Sequence, residues 1–174
     1  MEPALHPSIL PGYTPLILAH TEKVSSQWKD GEVVDMLVES RKIALLIIMD
    51  TLFSKDVWDD IPHIWKPILK AIEYISPGAW ILWRKMPRFG FRKPLKQLDE
   101  YLFGIIEERR KTKEAKSDLL QHLIDAGLSD QIIRDQMLTM MIAGHDTSTA
   151  LLAWVFALLG QHPDVHQRLV QEVD

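Results

Sequence analysis

Several chemistries are excluded by what this sequence of 174 residues lacks. It contains no cysteine, so disulfide bonds, cysteine-ligated zinc and iron–sulfur clusters are ruled out. It has no large excess of one charge, because 20 basic side chains accompany 24 acidic ones, and the net charge of -4 does not favour a nucleic-acid partner. The N-terminus lacks the basic and apolar segments of a signal peptide. With 47% apolar residues, the chain is expected to build a single globular core.

The most distinctive segment is the apolar stretch 137–159, which is rich in Leu, Met and Ala and contains no proline. This composition, with apolar residues nearly all around the helical wheel, predicts a fully buried helix. Five consecutive polar residues, 145–149, interrupt its centre. They require hydrogen-bond partners or a wet cavity, because an unpaired buried polar group costs about 1 to 3 kcal/mol. They also make the stretch a poor transmembrane candidate.

Helical spacing places small, hydroxyl and large apolar side chains on one face of this helix. The residues are Met140, Ala143, Gly144, Thr147, Leu151 and Trp154. A glycine inside a helix costs about 1 kcal/mol relative to alanine, which predicts that another group approaches the backbone closely at Gly144. Thr147 can bond back to the carbonyl of residue 143 or bond to a ligand.

The pattern Ala143-Gly144-His145-Asp146-Thr147-Ser148 resembles the oxygen-binding motif Ala/Gly-Gly-x-Asp/Glu-Thr-Thr/Ser on the central I helix of cytochrome P450 monooxygenases. The apolar flanks and the His-Pro turn at 162–163 agree with that family. Residues 3–7 resemble the segment just after its C helix, with Leu5 where an aromatic is more usual, and residues 51–56 resemble the end of its E helix, with Ser54 where glycine is common. An alternative is a core helix whose hydroxyls bond to its own backbone around an accidental Asp.

The resemblance implies an all-α fold built around the long central helix. It implies a monooxygenase that inserts one atom of O2 into a small organic substrate, with haem as cofactor and electrons from NAD(P)H through a reductase or ferredoxin. Ala143, Gly144, Thr147 and Ser148 would then line the haem and the oxygen site, and Asp146 and Thr147 would be the catalytic residues. The substrate pocket would include three of the face residues, namely Met140, Ala143 and Leu151.

The absent cysteine qualifies this implication, since the family ligates haem iron through a Cys thiolate. Residues 1–174 are therefore expected to be a single partial domain, roughly the D to J helices, without the N-terminal part and the haem-ligand part of the family's fold. Such a piece is expected to be inactive alone and to hold no metal. Its location would be cytoplasmic in a bacterium or the endoplasmic reticulum membrane in a eukaryote.

A non-catalytic helical protein with an interaction surface or a small-molecule pocket is the alternative function. A metal site at His162 and His166 is also considered, but Pro163 should leave His162 outside the next helix. The segment 80–94 combines tryptophan with basic residues, which suits a membrane surface, although a solvated loop with inward tryptophans is favoured. Nucleic acid is a weak third possibility for this segment.

Capping and periodicity predict the helix bounds. A first helix is expected from Thr14 as N-cap to about Trp28. Further helices are expected at about 33–53, 61–76, 96–110 and 118–126, with 111–117 as a charged linker. The central helix should begin after Ser129 or Asp130 as cap, and a last helix should begin at Pro163.

Overall fold

The computed structural model describes residues 10–76, 90–112 and 116–173. Within these ranges α-helices are joined by short turns and loops, without a β-strand, which confirms the predicted all-α class. The segment 3–7 and most of the basic aromatic segment 80–94 lie outside the described residues. The helices are α1 Leu10–Ser25, α2 Met36–Phe53, α3 Ile61–Ile75, α4 Arg92–Thr112, α5 Leu119–Asp125, α6 Asp130–Gln161 and α7 Pro163–Val173.

Side-chain caps begin three of the helices, and one of them, Ser129, was predicted from the sequence. Asp35 accepts hydrogen bonds from the backbone N–H groups of Leu37 and Val38, so α2 begins three residues later than expected. Asp118 caps α5 and Ser129 caps α6 in the same way. The predicted start of α1 was wrong, because Thr14 and Pro15 lie inside a helix that begins at Leu10 and ends at Ser25.

The core forms around α2, as its continuous apolar centre predicts. Leu45, Leu46, Met49 and Phe53 are completely buried, and α6 and α1 pack against this helix. The pair formed by α3 and α4 packs as a second layer of the same hydrophobic cluster. The helix that carries the motif is thus positioned mainly by α2.

Ser54 ends α2 in a left-handed conformation, with φ 47° and ψ 44°. Its backbone N–H donates to the carbonyl of Asp50, and the N–H of Lys55 reaches back to the carbonyl of Met49 at 3.2 Å. Glycine adopts this conformation without steric cost. The left-handed backbone at Ser54 therefore suits the glycine that the resemblance places at this position.

Arg109 is buried at the end of α4, where the sequence indicated only a basic helix terminus. Its guanidinium binds both carboxylate oxygens of Asp118 at 2.8 Å and donates to the carbonyl of Phe53 at 2.7 Å. One side chain therefore joins α4, the N-cap of α5 and the last turn of α2. Burial would raise the pKa of Asp118, but the hydrogen bonds from Arg109 and Ser54 lower it below its ordinary value.

The prediction that the stretch 137–159 is fully buried was wrong. Buried side chains recur every four residues along one edge of α6, from Ile133 to Thr149, and positions 150 to 161 contain no buried residue. An apolar composition makes a helix suitable for burial, but burial itself requires neighbours. Here α2, α4 and α5 cover a single side, and α7 contacts the helix without burying any residue of its own.

Length and composition would also allow α6 to cross a membrane, and it is the one helix of the described residues that meets this condition. Asp146 lies at its centre, and a charged group at the middle of a bilayer is expensive. Since α2 packs along α6 and pairs with Asp146, we interpret α6 as the central helix of the fold.

Candidate functional site

The motif lies where α2 crosses α6. An ideal Cβ built on Gly144 would overlap Cδ1 of Ile48 and would lie 3.4 Å from its Cγ1. The close approach predicted at this glycine is therefore made by a side chain of α2. Gly144 lies at the border between the packed side of α6 and the side that faces outward.

The outward side carries three of the predicted site residues in a row. Ala143, Thr147 and Leu151 are four residues apart and all are exposed, with Leu151 65% exposed. Trp154 continues this exposed strip. Ser148 is exposed as well, next to the row.

Met140, which was grouped with this face, is only partly buried and packs on the hydrophobic core. It therefore lies at the edge of the strip rather than within it. Of the residues assigned to a substrate pocket, Ala143 and Leu151 share the open face and Met140 borders it.

The Thr147 hydroxyl donates a hydrogen bond to the carbonyl of Ala143 at 2.7 Å. This is the backbone-satisfied arrangement that the sequence also allowed. A hydroxyl that donates one bond still has two lone pairs. Because Thr147 is exposed, its oxygen can accept hydrogen bonds from a molecule placed against the strip.

Asp146 points to a different side of α6, where it meets Arg41 of α2. Its carboxylate is 3.4 Å from Nη2 of Arg41, and its side chain is 47% exposed, compared with 19% for Arg41. The carboxylate is therefore open to solvent and has one basic group beside it.

His145 is the residue that sequence reasoning missed. Its side chain is completely buried, and neither ring nitrogen has a hydrogen-bond partner. Burial lowers the pKa of His145 to about 4, with the positive charge of Arg41 acting in the same direction and the Asp146 carboxylate opposing it. The backbone of Arg41 also opposes the shift, without meeting the geometry of a hydrogen bond. The four-residue spacing from Met141 and to Thr149 is the signal that could have placed His145 on the buried edge.

The alternative metal site at His162 and His166 gains no support. His162 is the C-cap of α6, and its carbonyl accepts the backbone N–H of His166, so the two residues lie at the open junction of α6 and α7. Both side chains are exposed. Within the described ranges, no three His, Asp or Glu side chains group as metal ligands would.

Comparison with known proteins agrees with the motif and the helical fold. The family model for cytochrome P450 matches residues 1–174. The chain is 29% identical to the pentalenene oxygenase of Streptomyces avermitilis and 28% identical to the cyclooctat-9-en-7-ol 5-monooxygenase of Streptomyces melanosporofaciens. Each match covers the whole chain and 41% of the relative.

A shorter match is 41% identical over 78 residues to a self-sufficient cytochrome P450 monooxygenase of Aspergillus niger. It covers 41% of the chain and 7% of that protein.

The helical fold, the motif and these relatives together define the class of protein. The chain belongs to the cytochrome P450 family. It spans about two fifths of the length of the first curated relatives it matches.

Proposed function

We propose that this chain is the oxygen-activation part of a haem-thiolate monooxygenase that inserts one oxygen atom of O2 into an organic substrate. The second oxygen atom leaves as water, with two electrons from NAD(P)H, through a reductase or ferredoxin, and protons from solvent. In this proposal residues 1–174 are a single partial domain, and the complete enzyme includes a cysteine ligand that these residues lack.

The observation that carries the proposal is the open strip on α6. Ala143 and Thr147 give it a small apolar surface with one hydroxyl, and α2 covers the opposite side of the helix. Such a surface fits a flat apolar group such as haem, with room for a diatomic molecule beside Ala143. When bound, haem with a thiolate ligand supplies the chemistry of O–O bond cleavage.

The residues of this chain would contribute contacts and protons. Ala143 and Gly144 have small side chains or none, which would leave space beside the helix. Ser148 would add a hydroxyl next to the strip. Leu151 and Met140 would offer apolar contacts to the substrate. The Thr147 hydroxyl, with its proton engaged by the Ala143 carbonyl, would accept a hydrogen bond and hold a water molecule in place. Asp146 would take protons from solvent and pass them towards that water.

A chimera tests the proposal, in which residues 1–174 replace the corresponding segment of the pentalenene oxygenase. The reduced carbon monoxide difference spectrum first establishes that the chimera binds haem through a thiolate. Thr147→Ala should then lower the product formed per NAD(P)H and raise the hydrogen peroxide released, and Thr147→Ser should restore the coupling. Asp146→Asn should instead slow turnover, since general acid–base assistance is typically worth about 10² to 10⁴ in rate.

Unchanged coupling in Thr147→Ala, measured with haem and substrate bound, would show that the hydroxyl only satisfies its own backbone. The chain of 174 residues by itself should give no thiolate-type spectrum, because it contains no cysteine. The nucleotide sequence on both sides is a complementary test, since an in-frame extension that encodes a Phe-x-x-Gly-x-Arg-x-Cys-x-Gly loop would supply the missing ligand.

A non-catalytic interaction protein would also present an apolar strip. The family match over every residue of the chain favours the enzyme, because an interaction surface does not require the Gly-x-Asp-Thr spacing.

A further inference from the structure

Three buried polar atoms without a partner occur on two side chains at the crossing of α2 and α6. They are Nε of Arg41 and both ring nitrogens of His145. Buried polar groups are normally paired with protein or with ordered water. Their coincidence at one crossing therefore requires an explanation.

The two side chains are chemically complementary. The Nε–H of an arginine can only donate, and a neutral imidazole has one nitrogen that only accepts. The lowered pKa of His145, which burial causes first, keeps the ring neutral at neutral pH and so keeps that acceptor available. The charged groups that act on the ring are Arg41 on α2 and Asp146 on its own helix.

We propose that His145 is the positioning residue for the Arg41–Asp146 ion pair. The ring of His145 accepts a hydrogen bond from Nε of Arg41 through one water molecule, since neither atom has a direct partner. The guanidinium is thereby held with Nη2 turned towards the carboxylate of Asp146.

The shape of the guanidinium explains why an anchor at Nε matters. The group is planar with donors at fixed angles, so a bond at Nε sets the direction of Nη2. The contact of Nη2 with Asp146 is long, at 3.4 Å, and the carboxylate is half exposed. A long contact to a carboxylate that is open to solvent does not fix a long side chain by itself.

A fixed Arg41 gives the carboxylate of Asp146 a defined position beside the site. This catalytic consequence rests on the proposed function, whereas the hydrogen bond between His145 and Arg41 does not. The test therefore uses the 174-residue chain without haem, so that failure of the proposed enzyme chemistry and failure of this inference remain distinguishable.

The experiment measures hydrogen exchange of the arginine Nε–H groups by nuclear magnetic resonance near neutral pH. In the unmodified chain the Nε–H of Arg41 should be protected. His145→Leu, which keeps an apolar volume but removes the acceptor, should speed its exchange by about threefold to tenfold, the factor expected for one hydrogen bond of net strength near 1 kcal/mol. His145→Gln should retain the protection, because its amide oxygen can accept.

Two controls separate positioning from packing. Nε of Arg134 is also buried and unpaired, so its exchange should stay the same in every variant and reports any general loosening. Asp146→Asn should leave the Nε–H of Arg41 protected. Loss of protection in Asp146→Asn, or unchanged exchange in His145→Leu, would overturn the inference.

A second experiment measures the ¹⁵N resonances of the His145 ring instead of the exchange of the Arg41 guanidinium. It leaves His145 unchanged and therefore does not require that a His145 variant folds. Arg41→Lys keeps the positive charge but has no Nε–H, so the ¹⁵N resonance of the acceptor nitrogen of His145 should move downfield as its hydrogen bond is lost. An unchanged resonance would show that Arg41 does not bond to the ring and would likewise overturn the inference.

Discussion

The side chain of Ile48 on α2 occupies the space that a Cβ at residue 144 of α6 would need. Gly144 is therefore a packing glycine, in addition to any contact that it makes on the open side of the helix. At this crossing, α2 approaches α6 closely because residue 144 has no Cβ.

Gly144→Ala should destabilise the chain by about 1 kcal/mol. The new methyl group overpacks the crossing, at a typical cost of about 1 to 3 kcal/mol, and the higher helix propensity of alanine returns about 1 kcal/mol. The midpoint and slope of urea unfolding measure the change. Gly104→Ala is the matched control, because a Cβ there meets no atom within 4 Å and should stabilise α4 by up to about 1 kcal/mol.

A second substitution, at Ile48, tests whether the destabilisation by Gly144→Ala comes from the overlap with Ile48. In a Gly144→Ala background, Ile48→Ala should cost less than it does in the unmodified chain, because it also removes the overlap. Strict additivity of the two substitutions would contradict the contact.

Arg109→Leu should destabilise the chain by about 3 to 5 kcal/mol. It leaves the buried carboxylate of Asp118 without its cation and the carbonyl of Phe53 without a donor. Arg110→Ala on the same helix is the control, because the exposed pair of Arg110 with Asp130 is worth at most about 1 kcal/mol. If Arg109→Leu and Arg110→Ala lowered the free energy of unfolding equally in chemical denaturation, the proposed role of Arg109 in joining α4, α5 and α2 would be refuted.

His145 should make stability depend on pH. Its pKa is about 4 in the folded chain and 6.5 in the unfolded reference, so the unfolded state binds the proton more readily. The contribution is complete above about pH 6.5 and is lost as the pH falls towards 4, with a slope approaching about 1.4 kcal/mol per pH unit. Denaturation curves of His145→Leu should lack this slope, and His166→Leu, which alters an exposed histidine, should keep it.

The exposed strip should bind a hydrophobic dye. Leu151, Trp154, Val155 and Leu158 recur at helical spacing and are all exposed, which forms a contiguous apolar patch. Leu151→Gln should therefore reduce dye fluorescence. Leu18→Gln changes a leucine of almost equal exposure, 63% against 65%, on α1 and should have little effect. Absence of dye binding by the unmodified chain would argue for a covered, self-contained fold.

Local chemistry explains why most helix bounds could be predicted from the sequence. Ser129 begins α6 through its hydroxyl, and Gly127 after α5 has a φ of 70°, which favours glycine. The start of α1 could not be decided in this way, since Pro11 and Pro15 are both compatible with an early helical position. The sequence provides no local signal that chooses between them.

The environment of the motif was less predictable, because burial depends on distant residues. Spacing alone placed Ala143, Thr147 and Leu151 on one face, and the structure aligns them there. Spacing could not show that Ile48 approaches Gly144, or that Arg41 pairs with Asp146 across 105 positions of sequence. It also could not show which part of the apolar stretch would stay open.

Burial along α6 ends at Thr149, whereas the helix continues to Gln161. A helix of 32 residues is about 48 Å long, and because only its first part is packed, we expect its two ends to belong to different cooperative units. Backbone amides before Thr149 should exchange with solvent only when the core around α2 opens. Those after it should exchange by local fraying, at rates close to those of an isolated helix. The longest helix of the described residues is thus expected to be divided energetically at the motif itself.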